Sequence, residues 1–391
     1  MSKRIGDVLQ GAALPDESGA EARAWRIVSG AYAGRRTVTR RRRSRRPLVV
    51  ALATLLVLAA LAATPAGPAV ADWIDNAFHP GRHDANPALV RLPASGRLLV
   101  TSQRGPWVVQ QDGSKRRLGR YQDAAWSPGG LFVVVTTRHE LVALEPDGDP
   151  RWSLARSATV SRPAWSPDGF RIGYLSGSTL RVVAGDGTGD APLAREAAAV
   201  APAWRPHADH VLAYADRAGR IHLSQTDRKR SLRRSPPGPI PSRLVWTPDG
   251  RRLLALDPGS VRVLDAAGRV SLTLRPPGGR AEALAVDPSG HRAALASYDP
   301  RARRSEVLDV PLSGGRPRRL FAGAGRFSDV AWSPDGRWLL IAWPDADQLL
   351  FVRAGARPKV AAVSNIAGQF DPGGRGAFPK LGGWCCAPGT P

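Results

Sequence analysis

Two histidines three residues apart in "WRPHADH" (204–210), a glycine-aspartate loop "GDGTGD" (185–190) and the adjacent pair Cys385 and Cys386 are where side-chain type and spacing invite chemistry. His207 and His210 are spaced as metal ligands but bring no third ligand, and a zinc site takes three or four. The 185–190 loop carries the oxygen donors calcium favours, yet it sits where a hairpin turn belongs. Cys385 and Cys386 are the only two cysteines of the chain, and outside the membrane they are expected to oxidise, with each other or with another chain. No G-x-S-x-G elbow, H-E-x-x-H or P-loop occurs, and the carboxylates are spread through turns without pairing. No catalytic residue, cofactor or metal is expected. An undetected hydrolase, assembled from loops far apart in sequence, is the enzymatic alternative.

Those loops need elements to hold them, and the chain supplies the elements as a repeat. "PAWSPDG" stands at 163–169 and "VAWSPDG" at 330–336, with looser copies "AAWSPGG", "PAWRPHA" and "LVWTPDG". Taking Trp126 as reference, equivalents fall at Trp165, Trp204, Trp246, Val286 and Trp332, with intervals of 39, 39, 42, 40 and 46 residues. Within one unit, 242–276, "RLVW", "RRLLAL", "VRVLD" and "RVSLTL" alternate as strands, and "TPDG", "DPGS" and "AAG" separate them as turns. Four short antiparallel strands per forty-residue unit make a β-propeller blade.

The motif's chemistry fits that placement. Proline presets φ for a turn, aspartate bonds its own backbone, and glycine takes the positive φ. Asp168 with Gly169, Asp249 with Gly250, and Asp335 with Gly336 therefore read as turn formers. Trp126, Trp165, Trp204, Trp246 and Trp332 read as apolar plates packed between adjacent blades. The unit at 88–119 keeps Pro93 and Gly96 but lacks the tryptophan, which gives seven blades; six with an irregular entry segment is the alternative count.

"AWSPDGRWLLIAW" (331–343) resembles the TolB-type, WD-like propeller repeat of bacterial envelope proteins, over most of 88–363. The wider layout is also similar to uncharacterised actinobacterial single-span membrane proteins. The shared motif is structural, so the resemblance implies a fold and no catalytic residue.

Ahead of the ring, residues 47–67 form an uncharged apolar run long enough to cross a bilayer. Eight arginines lie between Arg35 and Arg46 and no basic residue follows immediately, so the positive-inside rule places 1–46 in the cytoplasm and everything past the span outside. "AVA" at 69–71 offers a competing outcome, cleavage after Ala71. Residues 16–34 hold a short helical pattern in which Trp25, Ile27 and Val28 are candidate contacts for a cytoplasmic regulatory protein. A linker spans 68–87, and the Gly/Pro-rich tail, 364–391, reads as a loose strap over one face.

The net charge of +23 comes from 56 basic against 33 acidic residues, nearly all the basic ones arginine. With 43% apolar residues, the chain can build a substantial core. The expected protein is a membrane-anchored extracytoplasmic propeller, a binding or sensing platform for a protein or envelope ligand, with no specific nucleic-acid partner. A cell-envelope scaffold without signalling role is the alternative.

Overall fold

A computed structural model describes residues 91–277, 279–355, 359–372 and 376–386. The expected arm with Trp25, Ile27 and Val28, the 47–67 span, the 68–87 linker and the site after Ala71 lie outside the described residues. Among the described residues, no helix is long and apolar enough to cross a membrane.

Each repeat folds as an antiparallel four-strand meander. Blade 2 holds β4 (Asp123–Trp126), β5 (Val133–Thr136), β6 (Glu140–Leu144) and β7 (Pro150–Ala155), after β1 (Arg97–Ser102), β2 (Gly105–Val109) and β3 (Lys115–Arg117) of blade 1. Blade 3 holds β8 (Val160–Trp165), β9 (Arg171–Ser176), β10 (Thr179–Ala184) and β11 (Ala191–Ala194); blade 4 holds β12 (Ala203–Trp204), β13 (Val211–Ala215), β14 (Ile221–Gln225) and β15 (Arg230–Arg234). Blade 5 holds β16 (Arg243–Trp246), β17 (Arg252–Asp257), β18 (Ser260–Asp265) and β19 (Val270–Leu274); blade 6 holds β20 (Arg280–Val286), β21 (Arg292–Asp299), β22 (Arg304–Pro311) and β23 (Arg318–Ala324). Blade 7 holds β24 (Asp329–Trp332), β25 (Trp338–Trp343), β26 (Gln348–Arg353) and β27 (Val360–Ser364), followed by a short helix α1 (Ile366–Phe370) and β28 (Lys380–Cys385).

The seven innermost strands form a closed circuit: β28 touches β4, then β8, β12, β16, β20 and β24 follow in turn, and β24 returns to β28. Hydrophobic alternation fills the spaces between blades. On β17, Leu253 and Ala255 pack toward blade 4 while Leu254 and Leu256 pack toward blade 6, so both faces are buried and the strand reads as an apolar run.

The tail is not a strap. Strand β28 pairs antiparallel with β1 and becomes the innermost strand of blade 1, placing Trp384 opposite Leu98. In the other blades the motif tryptophans hold the same register, Trp165 opposite Ile172, Trp246 opposite Leu253 and Trp332 opposite Leu339. The tryptophan missing from 88–119 is thus supplied from the far end of the chain. Gly382 is required there, because a Cβ would stand 2.8 Å from Cγ of Leu99.

The repeated turn is one hydrogen-bonded unit. In blade 5, the Thr247 hydroxyl donates to Oδ1 of Asp249 at 2.5 Å, the same oxygen accepts the Arg251 N–H at 3.0 Å, and Gly250 N–H reaches the Thr247 carbonyl at 2.8 Å. Ser166 with Asp168 and Ser333 with Asp335 repeat it, and Gly169, Gly250 and Gly336 all take positive φ.

Candidate functional site

Three segments meet between blades 3 and 4. The β8–β9 turn presents Asp168, the 205–210 connection ends at His210, and the β14–β15 hairpin presents Asp227. His210 Nε2 lies 2.8 Å from Oδ2 of Asp168, and its Nδ1 lies 2.5 Å from Oδ2 of Asp227. Arg171 closes the group, its Nε donating to Oδ1 of Asp227 at 3.2 Å. His210 is itself at positive φ, and its ring packs edge-on to Trp204 with centroids 6.3 Å apart.

Partial burial opposes charge on Asp168, but bonds from the Ser166 hydroxyl, the Phe170 N–H and His210 outweigh it and hold the carboxyl below its ordinary value. Burial likewise opposes charge on Asp227, and His210 with Arg171 prevail. A neutral imidazole donates from only one nitrogen, and here both face carboxylate oxygens. The ring therefore ties two blades together and has no free nitrogen to offer a substrate. Among the described residues, no group of three or more His, Cys, Asp or Glu is placed to hold a metal.

The clamp forms one wall of a cleft of about 760 Å³ that also takes in Arg205, His207, Gln225, Arg228 and Pro248. From Arg228 the rim runs directly into β15, the outer edge strand of blade 4. Arg228, Lys229, Arg230, Arg233 and Arg234 are all exposed, and none has an ion-pair partner among the described residues. Elsewhere arginines meet acids: Arg262 with Asp257, Arg243 with Asp329, and Arg156 and Arg181 with Asp190. Leu232, Ile240, Val270 and Leu272 are exposed on this stretch and the neighbouring outer strand of blade 5.

Both carboxylates of the 185–190 loop have partners within the fold. Asp186 accepts the Thr188 N–H and hydroxyl within its own turn, and Asp190 is taken by Arg156, Arg181 and the Tyr174 hydroxyl. Burial, reinforced by the hydrogen bond to Asp190, pushes the Tyr174 phenol up to about 12.

A second cavity, about 470 Å³, lies at the seam where β28 enters the ring. Trp126, Trp165, Trp384, Pro163, Pro334 and the disulfide Cys385–Cys386 line it. The motif tryptophans divide here. The indole N–H of Trp204 donates to Ala164 O at 3.0 Å, Trp246 to Ala203 O at 3.1 Å and Trp332 to Ala285 O at 3.3 Å. Each acceptor immediately precedes the equivalent motif position of the preceding blade, so the bond stitches blade to blade. Around the seam the stitch is missing: the buried indole nitrogens of Trp126, Trp165 and Trp384 have no partner among the described residues. Trp204, Trp246 and Trp332 are buried, while Trp126 and Trp165 are half-buried. In the sequence the five look alike, and the members of the clamp come together only in space.

No protein-family model matches the chain, and no curated protein matches it in sequence. Among solved structures, the β-propeller domain of Cps50 (Swd1) from Myceliophteria thermophila aligns at 17% identity and TM-score 0.51, covering 63% of this chain and 86% of that one. Hsv2p from Kluyveromyces lactis aligns at 12% identity and TM-score 0.52, covering 69% and 95%. Hydrazine synthase from Kuenenia stuttgartiensis aligns at 18% identity with a TM-score of 0.48, covering 59% and 75%, too distant to bear on activity. At these identities the likeness is one of fold: a seven-bladed β-propeller of four-stranded antiparallel blades.

Proposed function

We propose that the chain is a TolB-like propeller held outside the membrane by residues 47–67, and that its ring is a protein-binding platform whose partner presents an acidic, extended segment to blade 4. Residues 16–34 face the cytoplasm in this reading and contact a regulatory protein through Trp25, Ile27 and Val28.

The observation that carries the binding role is the edge of β15. An outer strand leaves one row of backbone N–H and C=O groups unpaired, ready to accept an added strand. Five cations within residues 228–234, exposed and without ion-pair partners among the described residues, give that edge a sign. An acidic strand would satisfy the backbone and the guanidinium groups together, with Leu232 as an apolar contact. The anchoring reading rests on the arginine run before the apolar stretch.

Binding is measured by fluorescence anisotropy of a labelled Glu-rich peptide on the whole protein at low and high salt. The expected result is binding that weakens with salt and falls at least tenfold in the triple variant Arg230→Glu, Arg233→Glu, Arg234→Glu, because three exposed ion pairs of up to ~1 kcal/mol each are inverted. Equal binding by wild type and variant, or equal affinity for duplex DNA, would remove the platform from this edge. Topology is read by alkaline phosphatase fusions: activity is expected after Pro391 and none at Gly34, and the reverse pattern would sink the anchoring.

A further inference from the structure

Cys385 and Cys386 are adjacent in sequence and joined by a disulfide. The entropy a disulfide removes from the unfolded chain grows with the loop it closes, and a bond between neighbours closes none. It therefore contributes almost nothing to stability, and the ring is already shut by the pairing of β1 with β28.

Its position in the repeat is also informative. In blades 3, 5 and 7 the residue after the motif tryptophan is Ser166, Thr247 or Ser333, whose hydroxyl accepts the N–H of Arg171, Arg252 or Trp338 across the turn. In blade 1 that position is Cys385, and the rest of the turn, Pro93–Gly96, comes from the other end of the chain. A structural position of the repeat is here occupied by sulfur.

The surroundings suit reaction. Both cysteines are half-exposed, and both line the seam cavity. The Arg97 guanidinium is fixed over the Trp126 ring, 4.9 Å from its centroid, and donates to the Gly130 carbonyl. A methyl group placed on Gly130 would stand 2.6 Å from Nη2 of Arg97, 3.4 Å from Sγ of Cys385 and 3.5 Å from Sγ of Cys386. One cation and two sulfurs thus converge above a glycine at positive φ, where no side chain intrudes. Nε of Arg97 is buried without a hydrogen-bond partner among the described residues.

We propose that Cys385–Cys386 is a thiol–disulfide exchange site opening onto the seam cavity, with Arg97 stabilising the thiolate of the reduced pair. A thiolate entering the cavity attacks one cysteine sulfur. A mixed disulfide forms, the Cys385–Cys386 bond breaks, and its electron pair leaves on the other sulfur as a thiolate beside Arg97. A second thiolate then attacks the mixed disulfide at the substrate sulfur, releases the oxidised substrate disulfide and leaves both cysteines reduced. Two thiols have given two electrons and two protons to the protein, and the reverse sequence returns them. The cavity wall is aromatic and apolar with no charged side chain, so the substrate class is a thiol carried on an apolar or aromatic body, such as a cysteine flanked by apolar residues in an extended peptide.

The test uses the whole protein, whose only cysteines are these two, so intact mass reports both. After reduction with dithiothreitol, alkylation by iodoacetamide is followed against pH in the wild type, Arg97→Gln and Arg97→Lys. Two adducts are expected without denaturant, with a rate midpoint below the ordinary thiol value of about 8.5. In Arg97→Gln the midpoint moves up by about one unit, slowing alkylation at neutral pH roughly tenfold, while Arg97→Lys retains most of the wild-type rate. Failure to reduce unless the protein is unfolded, or a wild-type midpoint near 8.5 unchanged in Arg97→Gln, overturns the proposal. If Arg97→Gln does not fold, judged by tryptophan fluorescence, the wild-type midpoint is compared at low and high salt. An upward shift with salt then supports the cation's role, and none overturns it.

Discussion

A chain ending at Pro379 is expected to lose its cooperative fold. The truncation removes the innermost strand of blade 1, leaves β1 with an unpaired edge facing the channel, and deletes Trp384 from a cluster with Leu98, Val100, Phe351 and Phe370. Neighbouring inner strands β4 and β24 lose their shared contact at the same stroke. Urea unfolding followed by tryptophan fluorescence should change from a sharp transition to a shallow slope. A sharp transition within about 1 kcal/mol of the full chain would mean that the ring does not depend on β28.

The largest single-residue effect is expected at Trp246. Its side chain is 5% exposed, packs between blades 4 and 5, and its indole N–H donates to Ala203 O. Trp246→Ala should cost about 3–5 kcal/mol, through lost apolar contact, a residual cavity and an abandoned carbonyl. Asp249→Ala, three residues on, removes local bonds on an exposed turn and should cost about 1 kcal/mol. Urea midpoints of the two variants are the measurement. A smaller loss for the tryptophan than for the aspartate would deny the blade-to-blade role assigned to the indole.

What could be read beforehand followed the range of the interactions. The Pro-Asp-Gly turns and strand alternation are local, so blade architecture was visible in any forty residues. Seven units could be counted because each turn carries its own chemistry. The seam was less legible, since its pairing joins residues nearly three hundred positions apart. A signal was nonetheless present: "GGWCC" holds a tryptophan outside any Trp-Ser-Pro-Asp-Gly run, and "PASGR" at 93–97 is a turn with no tryptophan before it. The two halves complete each other only once the chain is bent into a circle. The His210 clamp left no comparable trace. Asp168 looks like every other turn aspartate, and only the hairpin that delivers Asp227 shows that one of its oxygens is diverted to a neighbouring blade.

Closing the ring with the last strand also sets an order of events in time. Six blades, from Asp123 to Ser364, are contiguous in the chain and can form as synthesis proceeds, each hairpin zipping within reach of the one before. Leu98 must wait for Trp384. Until β28 emerges, β1 carries an open edge, and the growing chain is a curved stack of sheets with two unsatisfied ends. The slow step of folding is therefore placed after β28 has been made, because long-range pairing bears the highest entropic cost. A chain interrupted before Lys380 lacks the closing strand, so a closed ring is itself a report that synthesis has passed β28.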